Sequence, residues 1–305
     1  MQRYIIQRVL QGVLVLLLVA TIVFFLGRLT GNPADLMLPE DATPEDRQAL
    51  IATLGLDRPY YEQLYIFLLN AVQGDLGVSI RYRQPAAALF FDRLPNTLQL
   101  VPATLALAVG VALPLGMLAA VYRGSMIDKL AGAAAVCGIA TPSFWLGIVL
   151  IYVFSVQLGW LPSARMGGME HYVLPSITLG LFLVAGLMRL VRSSMLEVLD
   201  TEFVKLARLK GLRELVIVLK HCLRNALIPV ITLFGVLLAQ LVTGAIVTET
   251  VFAWPGIGRL TFEAVLFRDY PLLQAVVVLD AILVLGITLM VDILYAYIDP
   301  RIRYS

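Results

Sequence analysis

Six stretches of this 305-residue chain are apolar over 20 residues or more, and they limit the folds open to it more than any other feature. A helix needs about 20 apolar residues to cross roughly 30 Å of hydrocarbon. Open sheet edges cannot face lipid, so these runs must be helices. The sequence therefore predicts an all-α membrane protein with six transmembrane helices, over residues 9–28, 98–121, 131–158, 173–192, 226–250 and 273–297. The fourth is the weakest, because Arg189 and Arg192 end it early.

Composition supports a membrane protein and gives no sign of catalysis or of metal binding. The chain is 60% hydrophobic and 14% charged, against about 45–50% and about 25% in soluble domains. Cys137 and Cys222 are too far apart in sequence to suggest a disulfide framework, and His171 and His221 are the only histidines. The first apolar run exceeds a typical signal core of about 7–15 residues, so we expect a retained helix there.

Basic residues are distributed asymmetrically between the predicted loops. With the N-terminus placed in the cytoplasm, 14 of them fall inside and 3 outside, which satisfies the positive-inside rule. The inner set is Arg3, Arg8, Arg123, Lys129, Arg189, Arg192, Lys205, Arg208, Lys210, Arg213, Lys220, Arg224, Arg301 and Arg303, and the outer set is Arg165, Arg259 and Arg268. Six spans then return the C-terminus to the cytoplasm.

Residues 30–95 form the one sizeable region predicted outside the membrane. A capping box at Thr43 and Asp46 starts one helix, with Pro44 at its first position. The segment "YYEQLYIFLLNAVQG" reads as a second amphipathic helix ending at Gly74. Two interpretations stay open, a helical hairpin packed on the membrane surface and a docking surface for an external partner, and both can hold.

The segment "KLARLKGLRELVIVLKHCLRNALIP", residues 205–229, is basic and interrupted by Gly211. Phe203, Leu206 and Ala207 fall at helical spacing on one face, which indicates a short amphipathic helix outside the bilayer. A loop that fixes topology and contacts anionic lipid would explain the charges. It would not explain the helix–glycine–helix pattern, which a helix presented to a cytoplasmic partner does explain.

These residues resemble a known family. "KLARLKGL" followed by "HCLRNALIP" is similar to the cytoplasmic coupling motif of ABC importer permeases in the dipeptide and oligopeptide uptake branch. Lys205 and Leu206 depart from the general Glu-Ala-Ala form of that motif, whereas Ala207 and Gly211 match it. Nine further segments resemble the same family in its order, namely "GLDRPYYEQ", "GDLGVSI", "RLPNTLQL", "TPSFWLG", "LGWLPS", "VLPSITLG", "ETVFAWPGIGRL", "RDYP" and "YIDPRIR".

The resemblance implies a type I ABC importer permease of MetI-like architecture, with a helical insertion after the first span. The implied division is residues 1–95, the first span and the external region, and 96–305, a five-helix core containing the coupling segment 193–225. The resemblance also assigns contact with a separate ATPase to Lys205, Leu206, Ala207, Arg208, Lys210, Gly211 and Leu212. No phosphate-binding Gly-rich loop occurs in the chain, so ATP and Mg²⁺ are expected in the partner ATPase and no cofactor in this chain.

The expected location is the bacterial inner membrane. The expected partners are a second permease, one or two ATP-binding subunits, an external substrate-binding protein and lipid, with no nucleic acid. The branch carries di- and oligopeptides, glutathione and nickel complexes. Peptides are the first choice, and glutathione or nickel chelates are the alternative.

Asp280 is the carboxylate that lies furthest inside an apolar run, where ionisable residues are costly and often functional. It is predicted on the translocation pathway, although pairing with a basic residue or permanent protonation would also account for it. Two other classes are less well supported. An intramembrane protease would need an embedded Ser–His or Asp–Asp pair, and a stand-alone transporter usually shows internal symmetry.

Overall fold

A computed structural model of the chain describes residues 2–29, 38, 43–53 and 55–298. Apart from one isolated bridge between Val78 and Pro85, the regular structure of these residues is helical. Arg301, Arg303 and most of the closing "YIDPRIR" segment lie outside them, as does most of the stretch from 30 to 42. The helices are α1 Gln2–Leu29, α2 Pro44–Thr53, α3 Tyr60–Val72, α4 Ala86–Val121, α5 Met126–Ala140, α6 Ser143–Leu150, α7 Glu170–Leu199, α8 Glu202–Leu209, α9 Glu214–Val216, α10 Leu223–Val251, α11 Ile257–Leu266 and α12 Tyr270–Ile298. Two π-helical segments, Ile151–Gln157 and Ile217–Cys222, follow α6 and α9.

Four of the described helices, α1, α4, α7 and α12, are long and apolar enough to cross a membrane. The count reaches six if two bent pairs are each taken as one span. One pair is α5 with Ser143–Gln157, bent by 102°, and the other joins Glu214–Leu227 to Pro229–Leu238 at 45°. The six predicted spans therefore correspond to four continuous helices and two broken ones.

The prediction of one uninterrupted helix over 131–158 is wrong. α5 ends at Ala140, and α6 starts at Ser143 after Thr141 and Pro142, both in extended conformation. The residue before a proline disfavours the helical conformation, and proline itself has no N–H to donate. This pair therefore separates two helices instead of bending one.

The fourth predicted span does not end at Arg189 and Arg192, because α7 continues to Leu199. Arg192 makes a two-pronged salt bridge with Asp128 at the start of α5, with Nη2 2.9 Å from Oδ2. Paired hydrogen bonds of this kind satisfy both charges. A basic residue in the last third of an apolar helix therefore need not terminate it.

Backbone proximity divides the chain into two compact units. The first comprises the described parts of Met1–Thr97 and Pro255–Ser305, and the second is Leu98–Trp254. The boundary at Thr97 lies inside α4. The division into 1–95 and 96–305 stays a prediction.

In the first unit, α1 packs along α12, and α11 also packs against α12. The Nε of Arg8 lies 3.2 Å from Oδ2 of Asp292. The predicted capping box is confirmed, because the Thr43 Oγ1 accepts from the Asp46 N–H and the Asp46 carboxylate accepts from the Thr43 N–H. The predicted end of the second amphipathic helix at Gly74 is also confirmed, with φ of 85° at this glycine just after α3.

A buried carboxylate fixes the loop after α3 to the start of α12. Asp269, only 1% exposed, accepts hydrogen bonds from the Ser79 hydroxyl and from the N–H groups of Ile80, Arg81 and Leu272. We call this group of five residues the carboxylate clamp. It joins two of the segments that resemble the permease family, "GDLGVSI" and "RDYP". Ser79 in the first and Asp269 in the second are 190 residues apart in sequence.

In the second unit, α7 packs against both α5 and α10. Small residues on α4 and α5 support the buried core here, including Ala112, Ala119 and Ala135, each fully buried. Small side chains let helix backbones approach closely in membranes. This part of the sequence therefore favours tight helix packing over large core side chains.

Replacing Gly116 with leucine is expected to destabilise the protein by about 1–3 kcal/mol, as for an overpacked core. A Cβ atom at Gly116 would lie 2.7 Å from the Met188 carbonyl oxygen and 2.9 Å from the Val191 Cβ. Gly110→Leu is the matched control, because a Cβ there meets nothing within 4 Å. The measurement is the melting temperature in detergent. Equal melting of Gly116→Leu and the control would contradict this packing.

Candidate functional site

The predicted coupling segment 193–225 contains the end of α7, all of α8, and the turn leading into α9. α8 begins after Thr201, whose extended backbone lets its carbonyl accept from the N–H groups of Val204 and Lys205. Its first turn carries Glu202 and its last turn Arg208, which both complement the helix dipole. Local sequence therefore accounts for this short helix.

α8 is attached to the core of the second unit through Val204, which is fully buried. Val204 belongs to the same buried cluster as Ile217, Val218 and Cys222 in the π-helical segment that follows α9. The cluster holds α8 against the segment that leads into α10.

α8 packs on the core through a side that overlaps the predicted apolar face only in part. Of the three residues expected on one apolar face, Ala207 is half-buried, whereas Phe203 and Leu206 are exposed. Val204 and Ala207, three residues apart, face the core instead. Both sides of this helix are apolar, so spacing alone did not show which one packs inward.

The exposed side of α8 and its turn carries several large apolar side chains. Leu209 is 83% exposed and Leu206 57%. We define the leucine surface as the exposed apolar residues of this segment, Phe203, Leu206, Leu209, Leu212 and Leu215. Clustered exposed apolar side chains typically mark an interaction site.

α8 ends at Gly211, as predicted. The Gly211 N–H donates to the Arg208 carbonyl at 2.9 Å, and the Leu212 N–H donates to the Ala207 carbonyl at 3.3 Å. These two bonds form a Schellman motif, which needs a left-handed residue at the glycine position. Gly211 has φ of 73°, and a Cβ there would meet nothing within 4 Å. The glycine is therefore required by backbone conformation, not by lack of space.

A salt bridge closes the turn around Gly211. The Arg208 guanidinium donates to both carboxylate oxygens of Glu214, at 2.7 and 3.2 Å. Hydrogen bonding to Glu214 raises the pKa of Arg208 above its ordinary value. Lys205 pairs with Glu202 at 2.8 Å. Two of the basic residues in the motif are thus engaged within the segment itself.

The structure brings the seven predicted ATPase-contacting residues together on one helix–turn unit. Lys205, Leu206, Arg208, Lys210, Gly211 and Leu212 are exposed there, and Ala207 is half-buried. Sequence reasoning missed Leu209, which is the most exposed leucine of this helix–turn unit, and it missed the partner of Arg208. Opposite charges on either side of a helix-terminating glycine would have been the signal for the salt bridge.

Asp280 lies in α12 of the first unit and is half-buried. Its Oδ1 atom is buried and has no hydrogen-bond partner among the described residues. Within the described residues, no group of three or more His, Cys, Asp or Glu side chains is placed to hold a metal ion.

The fold and this segment define a helical membrane subunit, and comparison with known families identifies it. Residues 112–304 match the family described as "Binding-protein-dependent transport system inner membrane component". Residues 1–101 match the N-terminal part of the same kind of membrane component. The chain belongs to this family. It is a multi-pass inner-membrane permease subunit of an ABC importer, and it is not itself an enzyme.

The chain is similar to individual members along its whole length. It is 43% identical over 306 residues to the glutathione transport system permease protein GsiC of Escherichia coli K12, and equally to that of Shigella dysenteriae serotype 1. Both alignments cover 100% of each chain. An inward-facing structure of the MetNI methionine ABC transporter superposes with a TM-score of 0.59 at 22% identity, over 69% of this chain and 96% of that one.

These results confirm the predicted family and the all-helical, MetI-like fold. Dependence on a binding protein is part of the family description, so an ATPase and a binding protein are partners of the subunit. The first-choice substrate, di- and oligopeptides, is not the one named for the relatives.

Proposed function

We propose that this chain is the permease subunit of a glutathione importer and forms half of its translocation pathway. The observation that carries the proposal is the 43% identity over full length to GsiC proteins. Glutathione is itself a three-residue peptide. The proposal therefore selects one member of the peptide-like class that the sequence motifs indicate.

The leucine surface and the turn at Gly211 are proposed to dock into a groove of the ATP-binding subunit, which uses ATP and Mg²⁺. Support comes from its exposed apolar area together with the attachment of α8 to the core through Val204. An exposed helix with a buried anchor can transmit a displacement into the membrane helices. A second permease and one or two ATP-binding subunits complete the proposed assembly, with both termini of this chain in the cytoplasm.

Uptake of radiolabelled glutathione into proteoliposomes tests the substrate. The liposomes would contain this permease with its second permease and its ATPase, and the loaded binding protein and ATP would be supplied on the appropriate sides. We expect ATP-dependent uptake that unlabelled glutathione competes more effectively than a dipeptide or a nickel chelate. Preferential competition by the dipeptide or by nickel would overturn the glutathione assignment.

Asp280 is proposed to line the pathway, on the basis of its unpartnered, buried Oδ1 within a span. We expect Asp280→Asn to lower the uptake rate several-fold without reducing the amount of assembled transporter. The measurement is uptake per copy of purified complex. Wild-type uptake and assembly in both Asp280→Asn and Asp280→Ala would rule out this role.

A further inference from the structure

A cavity of about 380 Å³ lies in the second unit, where the chain breaks between α5 and α6. It is bounded by this break and by α7 and α10. Hydroxyl, amide and apolar side chains line it, and no described lining residue is charged. Its polar lining residues include Thr141, Ser143, Thr178, Gln240 and Thr248, and Phe182 is one of its apolar ones.

α6 packs closely against the end of α10 beside this cavity. A Cβ at Gly147 would lie 3.1 Å from Val251 Cγ1 and 3.3 Å from Phe252 Cε2, so α6 approaches the end of α10 with little space between them. Ser143 lies one turn before Gly147, and Thr248 one turn before Phe252. The glycine contact therefore brings together two helix segments that each contribute a cavity-lining residue, Ser143 and Thr248.

Thr248 lines this cavity and carries an unpaired hydroxyl. The residue is 1% exposed, and its Oγ1 has no hydrogen-bond partner among the described residues. Leaving a buried polar group unsatisfied is unfavourable, so such groups call for an explanation. By contrast, the Thr141 and Thr178 hydroxyls donate to the carbonyls of Cys137 and Leu174. These two hydroxyls retain lone pairs that can still accept hydrogen bonds.

The helix break adds backbone groups to the same wall. α6 has no side-chain cap, and its first N–H groups have no partner within the helix. Broken membrane helices place such groups where they line a binding cavity. The break thus offers backbone N–H donors close to hydroxyl groups, which can both donate and accept hydrogen bonds.

We propose that this cavity is a transient binding site for the neutral amide groups of a short peptide during its passage. The inference rests on the proposed function, because it assumes a peptide-like substrate. An amide group presents one donor and one acceptor, which matches hydroxyls and free backbone N–H groups. The lack of charge keeps binding weak, and a transport site must release its substrate. The volume falls within the range of small-molecule sites, about 300–1,000 Å³.

Thr248→Val tests the site, because valine keeps the shape and removes the hydroxyl. In proteoliposomes containing the complete transporter, at saturating loaded binding protein, we expect about tenfold less glutathione imported per ATP hydrolysed. Tenfold corresponds to about 1.4 kcal/mol, the scale of one hydrogen bond. Thr104→Val is the matched control, because the Thr104 hydroxyl is equally buried and unpartnered but lies outside this cavity. We expect it to transport within twofold of wild type.

Thermal stability separates this role from a structural one. Removing an unpaired buried hydroxyl should leave the melting temperature unchanged or raise it. A Thr248→Val variant that transports like wild type would overturn the proposal, and so would equal losses in Thr248→Val and Thr104→Val.

Photo-crosslinking provides a second, direct test. A benzophenone amino acid at Phe182, 54% exposed, should crosslink labelled glutathione during turnover, whereas one at Tyr152, 55% exposed and outside the cavity, should not. Equal labelling at both positions would contradict the site. If the wild-type transporter imports a dipeptide instead, the glutathione assignment fails. The binding-site inference can then still be tested by comparing dipeptide uptake in Thr248→Val and Thr104→Val. A transporter of nickel chelates alone would overturn both.

Discussion

Asp269→Ala is expected to destabilise the first unit by at least about 3 kcal/mol. The substitution leaves the buried Ser79 hydroxyl and Leu272 N–H without their acceptor, and with them the partly buried N–H groups of Ile80 and Arg81. Each buried group left unsatisfied costs about 1–3 kcal/mol. We expect the purified variant to melt well below wild type in detergent. Faster hydrogen exchange at the amides of Ile80 and Arg81 would localise the defect.

Asp75→Ala is the matched control for the carboxylate clamp. Asp75 lies in the same loop, but its side chain is exposed and accepts one hydrogen bond, from the Gly77 N–H. Its loss should cost no more than about 1 kcal/mol. If Asp269→Ala and Asp75→Ala had the same melting temperature, the carboxylate clamp would not contribute to stability as described.

Gly211→Val is expected to separate ATP hydrolysis from transport. A β-branched residue strongly disfavours the left-handed conformation that Gly211 adopts, and the general cost of that conformation is about 1–2 kcal/mol. The turn would unwind and misplace the leucine surface while Val204 keeps α8 on the core. We expect glutathione uptake to fall tenfold or more while the ATPase remains active. Paired measurements of uptake and phosphate release in proteoliposomes give this ratio.

Gly74→Val is the control with equal backbone strain. Gly74 ends α3 with φ of 85° in the same type of turn, and a Cβ there also meets nothing within 4 Å. We expect that variant to keep its ratio of uptake to hydrolysis. Gly211→Asn should recover much of the coupling, because asparagine tolerates left-handed backbone. A wild-type ratio of uptake to hydrolysis in Gly211→Val would show that this turn does not couple the ATPase to transport.

Sequence periodicity and capping were sufficient to predict local structure. The capping box at Thr43 and Asp46 and the glycine ends of α3 and α8 depend on residues within one helical turn of each other, and all are present. The length of the apolar stretches was also sufficient to predict the positions of α1 and α12. The family could be predicted because its motifs occur in order along nearly the whole chain.

Features that depend on tertiary contacts could not be predicted in this way. Whether Pro142 bends or separates two helices depends on what surrounds it, and here it separates them. α8 is apolar on both sides, so only the position of Ile217 and its neighbours selects Val204 as the buried residue. Asp269 and Ser79 are adjacent only in three dimensions, and the motifs containing them gave no sign of this pairing.

The carboxylate clamp also constrains how the protein is made. Ser79 leaves the ribosome 190 residues before Asp269. At a synthesis rate of about 5–20 residues per second, the loop waits roughly 10–40 s for its acceptor. During that interval α1 also lacks α12, the helix on which it packs. A stalled or truncated chain would therefore expose an unpaired first helix and an unanchored loop, and these are features that membrane quality-control proteases can use to distinguish unfinished copies from finished ones.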